Sequence, residues 1–224
     1  MKIAIDGPAG AGKSTVAKKV ARELGYIYID TGAMYRALTY QAIQNHVDIH
    51  DEKGLALLLK GHPINLQIEG DLQRVKINEQ DVTDAIRTPE ISKNVSGVAS
   101  HEQVRMEMLK IQRALADKGN IIMDGRDIGT NVLPEADLKI FLSASIQERA
   151  KRRYQELLVK GYNGTLEEIQ ADIARRDQQD QERKFAPLRQ ANDAIFIDSS
   201  NLTIDQVIDK ILQLVKEHQE GALE

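Results

Sequence analysis

The chain has 224 residues and a formal net charge of −4, with 42% hydrophobic and 29% charged residues. This length and balance predict one globular domain, and the acidic net charge gives no general attraction to nucleic acid or to an anionic membrane. The absence of cysteine excludes disulfides, thiolate metal sites and thiol catalysis, and the absence of tryptophan argues against a surface that stacks single strands. No apolar run approaches the roughly 20 residues that span a membrane and no signal peptide is visible, so a cytoplasmic location is expected.

The first predicted element is a short strand over Ile3–Ile5, followed by the sequence GPAGAGKS from Gly7 to Ser14. This segment, here called the phosphate loop, fits the pattern G-x-x-x-x-G-K-[ST] that binds the phosphates of a nucleoside triphosphate. A helix is predicted over Ser14–Leu24, so the loop N–H groups and the helix N-terminus face the phosphates. Lys13 should reach the β- and γ-phosphates, and Ser14 should ligate Mg²⁺. The predicted ATP-binding residues of this segment are Gly7, Pro8, Ala9, Gly10, Ala11, Gly12, Lys13, Ser14 and Thr15.

A second strand is predicted over Tyr26–Ile29, and it leads into the sequence DTGAMYR from Asp30 to Arg36. The motif should open a helix, whose N-terminus favours anions. A planar guanidinium at Arg36 suits a second phosphate group. The alternative at this stage is a surface arginine of a helix with no ligand.

Two features between the second and third strands predict an insertion in the sheet. Apolar and polar residues alternate between Ile64 and Val82, with Gly70-Asp71 in the middle, which predicts a small antiparallel sheet. A helix is then predicted to restart at Thr88-Pro89-Glu90, because proline is favoured in the first turn.

The third predicted core strand, Ile121–Met123, ends in Asp124 and continues as Gly125-Arg126-Asp127-Ile128-Gly129-Thr130. Ligands of open parallel sheets gather at the carboxyl ends of the strands, so Asp124 should lie opposite Ser14 and suit Mg²⁺. Arg126 and Asp127 should lie near the phosphate loop. A structural Arg–Asp pair at the strand end is the alternative.

Two last strands are predicted over Leu138–Leu142 and Ala194–Ile197. The alternation of strands and helices predicts an α/β fold with a parallel five-stranded sheet flanked by helices. The charged segment Gln147–Arg189 is predicted to form two helices joined through residues 160–164, with a capping box at Thr165 and Glu168. It is either a solvated helical hairpin or a mobile lid whose arginines close over phosphates. The last residues, about 219–224, are expected to form a frayed tail.

Within the charged segment, Arg176, Asp180 and Arg183 fall at i, i+4 and i+7 and therefore share one helix face. Two cations beside an anion could recognise phosphates and a sugar hydroxyl together, although internal ion pairing on an exposed helix gives the same pattern. Arg149 and Arg153 lie one helical turn apart and are weaker candidates for contacts with ATP.

Together these motifs identify the chain as resembling bacterial-type cytidylate kinases, the CMP/dCMP kinase branch of the nucleoside monophosphate kinases. The resemblance spans roughly Met1–Ser200 and rests on IAIDGPAGAGKST, DTGAMYRA, IIMDGRDIGT and the R-x-x-x-D-x-x-R run before Ala186-Pro187-Leu188. It implies a core formed by residues 1–30, 84–146 and 190–218. It also implies a monophosphate-binding region at 31–83 that contains the small sheet, with cytosine contacts extending into 84–105, and a helical lid at 147–189.

The resemblance also implies that Ser96, Arg105 and Asp127 recognise the cytosine. Asp127 would accept from the amino group and Arg105 would donate to the ring acceptors, whereas uracil reverses both patterns. Ser96 and Arg105 belong to no motif, and without the resemblance both would be interpreted as helix-surface residues. The other substrate-binding residues implied are Thr31, Arg36, Arg126 and Arg183 for the monophosphate, and Arg176 and Asp180 for the sugar and its surroundings.

The implied activity is transfer of the γ-phosphoryl group of Mg·ATP to CMP or dCMP. The catalytic residues would be Lys13, Arg36, Arg126 and Arg183, the metal ligands Ser14 and Asp124, and a further ATP contact Arg153. ATP and CMP or dCMP are the expected partners, without nucleic acid or membrane, and a monomer is expected. Two alternatives stay open: a kinase for another small acceptor such as UMP, AMP or shikimate, and a regulatory nucleotide-binding ATPase.

Overall fold

The computed structural model of the protein describes residues 1–69, 72–159, 161 and 163–221. The predicted turn at Gly70-Asp71, Lys160 and Tyr162 of the predicted linker, and the last three residues of the predicted tail lie outside this described part of the chain.

The described elements alternate between strands and helices as the sequence predicts, with strand boundaries shifted by one or two residues. The strands are β1 (Lys2–Asp6), β2 (Ile27–Asp30), β3 (Ile64–Glu69), β4 (Leu72–Ile77), β5 (Gln80–Asp81), β6 (Ile121–Gly125), β7 (Leu138–Ser143) and β8 (Ile195–Asp198). The helices are α1 (Lys13–Leu24), α2 (Thr31–Gln44), α3 (Glu52–Gly61), α4 (Pro89–Val98), α5 (Glu102–Ala116), α6 (Ile146–Leu158), α7 (Leu166–Glu182) and α8 (Ile204–Gly221).

The central sheet is parallel throughout, in the order β2-β6-β1-β7-β8, which confirms the predicted five-stranded sheet. Because side chains alternate along each strand, Ile3 and Ile5 pack against α1 and α8, whereas Ala4 points to the opposite face. Both faces are therefore covered by apolar side chains, as expected of a parallel sheet.

The carboxyl edge of this sheet brings distant acidic residues together. In the strand register, Asp6 lies beside Gly125 and Asp30 lies beside Asp124, although these pairs are far apart in sequence. The phosphate loop leaves β1 at the same edge. This is the edge at which ligands of open α/β sheets bind.

The predicted insertion is present as an antiparallel three-stranded sheet in the order β3-β4-β5. One of its side chains reaches the central sheet, because the Oε1 atom of Gln73 accepts a hydrogen bond of 2.8 Å from the backbone N–H of Asp30. The next helix, α4, begins at Pro89 with Thr88 as its N-cap, as the sequence predicts.

Helices α6 and α7 form the predicted helical pair. The capping box at Thr165 and Glu168 is present at the start of α7, with both reciprocal hydrogen bonds formed. One side of α7 is buried, through Ile169, Ile173, Asp177 and Asp180. Helix α7 is therefore not exposed to solvent on all sides.

The C-terminal helix differs from the sequence expectation. Helix α8 continues to Gly221, so residues 219–221 are helical and the predicted fraying does not begin at Gln219. Within the described part of the chain, no helix is both long and apolar enough to cross a membrane.

Candidate active site

The phosphate loop turns sharply between β1 and α1 because glycine is required at its start. Gly7 has a φ of 148°, and a Cβ atom there would lie 2.0 Å from the carbonyl oxygen of Leu142 in β7. A side chain at this position would overlap the neighbouring strand. The loop therefore packs closely against β7 at the sheet edge, and its last residues form the N-terminus of α1.

Lys13 points back along the loop, and its Nζ atom donates a hydrogen bond of 2.8 Å to the carbonyl oxygen of Pro8. The side chain is buried, and burial together with the nearby Arg126 lowers the pKa of Lys13 to about 7. Burial thus shifts the balance towards the neutral amine, and an anionic phosphate placed beside Lys13 would favour its charged form.

Ser14 and Asp124 meet directly, as predicted: the Ser14 hydroxyl donates to a carboxylate oxygen of Asp124 at 2.8 Å. Tyr28 donates to the other oxygen, also at 2.8 Å. Burial and the nearby Asp30 raise the pKa of the Asp124 carboxyl to about 6. Within the described residues no cluster of three or more His, Cys, Asp or Glu side chains could hold a metal ion. One hydroxyl and one carboxylate fit Mg²⁺, which takes few protein ligands and fills its octahedron with water and phosphate oxygens.

The start of α2 presents a second set of polar groups to the same space. Asp30 caps the helix by accepting from the backbone N–H of Ala33, and its other oxygen accepts from the Nη2 atom of Arg36 at 2.7 Å. Thr31 donates through its hydroxyl to the carbonyl oxygen of Asp124 at 2.7 Å. The guanidinium of Arg36 is therefore fixed by its own helix cap and is not a free surface side chain.

The far end of the site is built around Asp127. Its carboxylate accepts from Arg105 at 2.5 Å and from Arg183 at 3.2 Å. Arg105 lies with its guanidinium 5.4 Å from the centre of the Tyr35 ring. Ser96 and Arg105 are 6% and 3% exposed, so the surface positions expected from their helical context alone are wrong.

Arg126 pairs with α7 and not with its sequence neighbour. Its Nε atom donates to Asp180 at 2.8 Å, so the structural Arg126–Asp127 pair considered from the sequence is not formed. Burial raises the pKa of Asp180, but Arg126 and Arg183 outweigh this effect and hold the pKa of Asp180 below its usual value. Burial and Arg126 lower the pKa of Arg176 to about 10.

Lys13, Ser14, Asp124 and the acceptor-side residues line one cavity of about 630 Å³. It extends from the phosphate loop to Asp127 in one direction and to the start of α8 in the other. It contains Ser14, Asp124, Arg153 and every residue predicted to bind the acceptor; of the predicted loop residues, only Gly7 and Pro8 do not line it.

The cavity is cationic although the chain as a whole is acidic. Its basic side chains are those of Lys13, Arg36, Arg87, Arg105, Arg126, Arg152, Arg153, Arg176 and Arg183, and its acidic side chains are those of Asp30, Asp124, Asp127, Glu156 and Asp180. Such an excess of cations on low-dielectric walls favours anionic ligands.

Unsatisfied hydrogen-bond donors point to the same conclusion. In the described part of the chain, four buried side-chain polar atoms have no hydrogen-bond partner, and three of them are the Nε atoms of Arg36, Arg105 and Arg176. All three arginines line the cavity. Buried donors without partners are costly, and a ligand rich in oxygen and nitrogen acceptors would satisfy them.

The two arginines of α6 differ in their surroundings. Arg153 lines the cavity and pairs with Glu156 at 3.1 Å. Arg149 is buried outside the cavity lining, and it donates to the carbonyl oxygens of Ala144 and Ala9 and to Asp177. Its donors are used within the protein, and the weaker sequence suggestion of an ATP contact finds no support in this arrangement.

Sequence reasoning missed several groups that shape the site. Asp6 accepts from the backbone N–H groups of Ile128 and Gly129 at 2.8 and 2.7 Å, and so holds the segment that follows Asp127. Burial raises the pKa of Asp6 to about 7 against these two hydrogen bonds, which lower it. The sequence feature that could have identified Asp6 is its position directly before the phosphate loop. Tyr28 and Asp177 carry no signal beyond ordinary helix or strand spacing, and Tyr35 has only its place in the DTGAMYR motif.

Comparison with known proteins places the chain among enzymes of one kind. The family model described as cytidylate kinase matches residues 3–217. A cytidylate kinase of Bacillus subtilis is 57% identical over 217 residues, covering 97% of both chains. That of Anoxybacillus flavithermus is 55% identical over 221 residues, covering 99% of this chain and 98% of the relative.

A likeness among solved structures supports the fold alone. A gluconokinase from Sinorhizobium meliloti superposes with a TM-score of 0.51 at 11% identity, covering 99% of this chain and 95% of the gluconokinase. The parallel sheet, its flanking helices and the loop after β1 thus form a fold that the gluconokinase shares.

Proposed function

The chain belongs to the cytidylate kinase family, and from this premise we propose that it transfers the γ-phosphoryl group of ATP to CMP or dCMP, giving ADP and CDP or dCDP. The observation that supports this assignment most strongly is the set of three unpartnered Nε donors, on Arg36, Arg105 and Arg176, in a cationic cavity that begins at the phosphate loop.

In the proposed arrangement ATP occupies the end of the cavity formed by the phosphate loop and α1. The loop N–H groups and Lys13 hold the β- and γ-phosphates. The adenosine extends towards Arg153 and the lining residues Leu202, Thr203 and Val207 at the start of α8. Ser14 and Asp124 would hold Mg²⁺, which neutralises charge on the phosphate oxygens when bound.

CMP occupies the other end. Arg36, Arg126, Arg183 and Thr31 surround its phosphate, while Arg176 and Asp180 face the sugar. Asp180 is ionised because its arginine neighbours lower its pKa, so it can accept from a sugar hydroxyl. The 3′-hydroxyl suffices for this contact, which makes dCMP acceptable.

The base would be recognised by Asp127, Arg105 and Ser96. A carboxylate has about four lone-pair positions, so Asp127 can accept from the cytosine amino group while its arginines remain bound. The free Nε of Arg105 is the donor available for the ring acceptors. Uracil would present an acceptor to Asp127 and an N–H to Arg105, leaving buried groups unsatisfied.

Phosphoryl transfer requires little covalent chemistry from protein groups, so the protein catalyses it mostly by positioning the substrates and stabilising charge. No general base is needed, because the second pKa of a phosphate monoester is about 6 and CMP is already a nucleophile near neutral pH. Lys13, Arg36, Arg126 and Arg183 stabilise the charge that develops between the two nucleotides. Residues 147–189 act as a lid that keeps water from the transferred group.

All the residues assigned to these roles come from one chain, so we expect the monomer to be active. A coupled assay of ADP release with Mg·ATP and a panel of CMP, dCMP, UMP, AMP, GMP and shikimate tests the proposal. We expect fast release with CMP and dCMP only. Fast release with another acceptor would contradict the roles of Ser96, Arg105 and Asp127, and release that needs no acceptor would contradict the kinase assignment.

A further inference from the structure

Helix α7 and its C-cap residue Arg183 contact the rest of the site through three polar side chains spaced three residues apart. Arg183 binds Asp127 and Asp180 binds Arg126, both at the acceptor end. The third, Asp177, contacts the donor side. The three contacts lie along one helix, and together they join both ends of the cavity.

Asp177 is buried and uses both carboxylate oxygens. One accepts from the backbone N–H of Ala9 in the phosphate loop at 3.3 Å, and the other accepts from the Nη1 atom of Arg149 in α6 at 2.6 Å. The same Nη1 atom donates to the carbonyl oxygen of Ala9 at 2.9 Å, and Nε donates to that of Ala144. Both backbone groups of Ala9 are thereby bound by this pair.

Backbone packing strengthens the connection. A Cβ atom on Gly10 would lie only 3.3 Å from the Cβ atom of Arg149, so the outer part of the loop rests on α6. The phosphate loop, α6 and α7 meet at the Asp177–Arg149 pair. This pair is not exposed to screening by solvent, so its geometry is well defined.

We propose that Asp177 is a positioning residue that sets the distance between the phosphate loop and the acceptor-binding face of α7, acting through Arg149 and Ala9. The inference rests on the proposed function. The contacts of Asp180 and Arg183 use groups assigned to CMP and must adjust when it binds. The contact of Asp177 uses none of the groups assigned to CMP, so CMP binding leaves it in place and it fixes the position of the donor site relative to the acceptor site.

The predicted signature is a loss of turnover without a loss of single-ligand binding. Each nucleotide alone can still bind its own end of the cavity, but the two phosphates no longer meet in the reactive geometry. A misplacement of about 1 Å can reduce turnover by about 100-fold. A residue that serves stability alone would lower the unfolding temperature and leave kcat per folded molecule unchanged.

The test is Asp177→Asn in the full chain, after wild type has been shown to phosphorylate CMP, so that failure of the proposed function is recognised separately. The matched control is Asp172→Asn, an exposed carboxylate on the same helix that pairs with Arg175. We expect kcat of D177N to fall at least about 10-fold. The Kd values for CMP alone and for a non-hydrolysable ATP analogue alone should stay within about 3-fold, and D172N should match wild type.

Because loss of one member of a buried ion pair can destabilise a fold, Arg149→Lys serves as a second variant. Lysine keeps the charge but cannot bind Asp177 and Ala9 with a rigid fork. We expect R149K to lower kcat and to leave the Kd value of each nucleotide alone nearly unchanged. The double variant should have a kcat no lower than that of the more affected single variant.

A distance measurement adds a readout that is independent of activity. The chain has no cysteine, so spin labels at Ala174→Cys in α7 and Glu23→Cys in α1, both exposed positions, report only this pair of helices. With CMP and the ATP analogue bound, we expect one narrow distance distribution in wild type and a broader one in D177N. An unchanged kcat or an unchanged distance distribution in D177N would overturn the proposal, as would a kcat loss matched by weaker binding of each ligand alone.

Discussion

At the scale of single residues, four of the acceptor-side arginines are each fixed by pairing with a carboxylate. Asp127 holds two of them, and Asp30 and Asp180 hold one each. These carboxylates offset the repulsion between clustered cations and orient each guanidinium, while leaving some donors free. The cavity is therefore ready for an anion, and little side-chain entropy remains to be lost when a ligand binds.

The first residue-scale prediction concerns Asp127→Asn. The amide keeps one oxygen but loses the charge and gains donors, so it can tolerate the carbonyl of uracil. We expect the ratio of kcat/KM for CMP to that for UMP to fall by about 10-fold, which is within the 1–3 kcal/mol of one mismatched buried group. Steady-state kinetics with both acceptors measure it, with Asp193→Asn, an exposed partner of Lys139, as the control. A ratio equal to that of wild type would remove Asp127 from base recognition.

The second concerns Lys13→Ala. The variant loses the cation beside the transferred phosphoryl group, so kcat should fall by about 100-fold or more. The Kd for CMP, measured by calorimetry, should change little, because Lys13 belongs to the donor end. Lys19→Ala on the same helix removes an exposed lysine that pairs with Asp205, and we expect it to keep wild-type turnover. Wild-type turnover in K13A would refute the assignment of the loop.

At the scale of elements, the close contact between the phosphate loop and β7 explains why the loop cannot be altered without cost. Gly7 has a positive φ, and its hypothetical Cβ falls 2.0 Å from a backbone oxygen. Backbone atoms cannot move aside as a flexible side chain can, so the loop or the strand would have to shift.

Gly7→Ala is therefore expected to destabilise the protein by several kcal/mol, as strained and overpacked positions do. Gly61→Ala is the matched control, because Gly61 ends α3 and has open space where the methyl group would go. It should leave stability unchanged or raise it by up to about 1 kcal/mol. Urea unfolding of both variants gives the comparison. Equal free energies of unfolding for G7A and G61A would mean that the contact between Gly7 and β7 is not tight.

The strands and helices also differ in how far they could be predicted from the sequence. Strands β1, β2, β6, β7 and β8, the insertion and the helix caps follow from periodicity, glycines and capping residues, which are local signals. The edge that holds the site also follows, since parallel strands place their carboxyl ends together. Burial of Arg105 and the Asp177–Arg149 pair could not be predicted, because each depends on which helices meet, and helix spacing alone does not encode that.

For the whole molecule, the parallel sheet brings together side chains that are far apart in the chain. Ser14 and Asp124 are 110 positions apart in the chain, and Arg126 and Asp180 are 54 apart, yet each pair is joined by a hydrogen bond of 2.8 Å. The first pair meets because β1 and β6 are neighbours in the sheet, and the second because α7 lies beside the residue that follows β6. A chain with net charge −4 thus places nine basic and five acidic side chains around one cavity, and this local excess of positive charge favours anionic ligands there.

The central claim is that this cavity carries one phosphoryl group directly from ATP to cytidylate. A single-turnover reaction with ATP labelled in the γ-phosphoryl group, excess enzyme and CMP tests it most directly. We expect the label to appear in the β-position of CDP, in step with the loss of ATP. Label recovered as inorganic phosphate, or retained on the protein, would contradict the account.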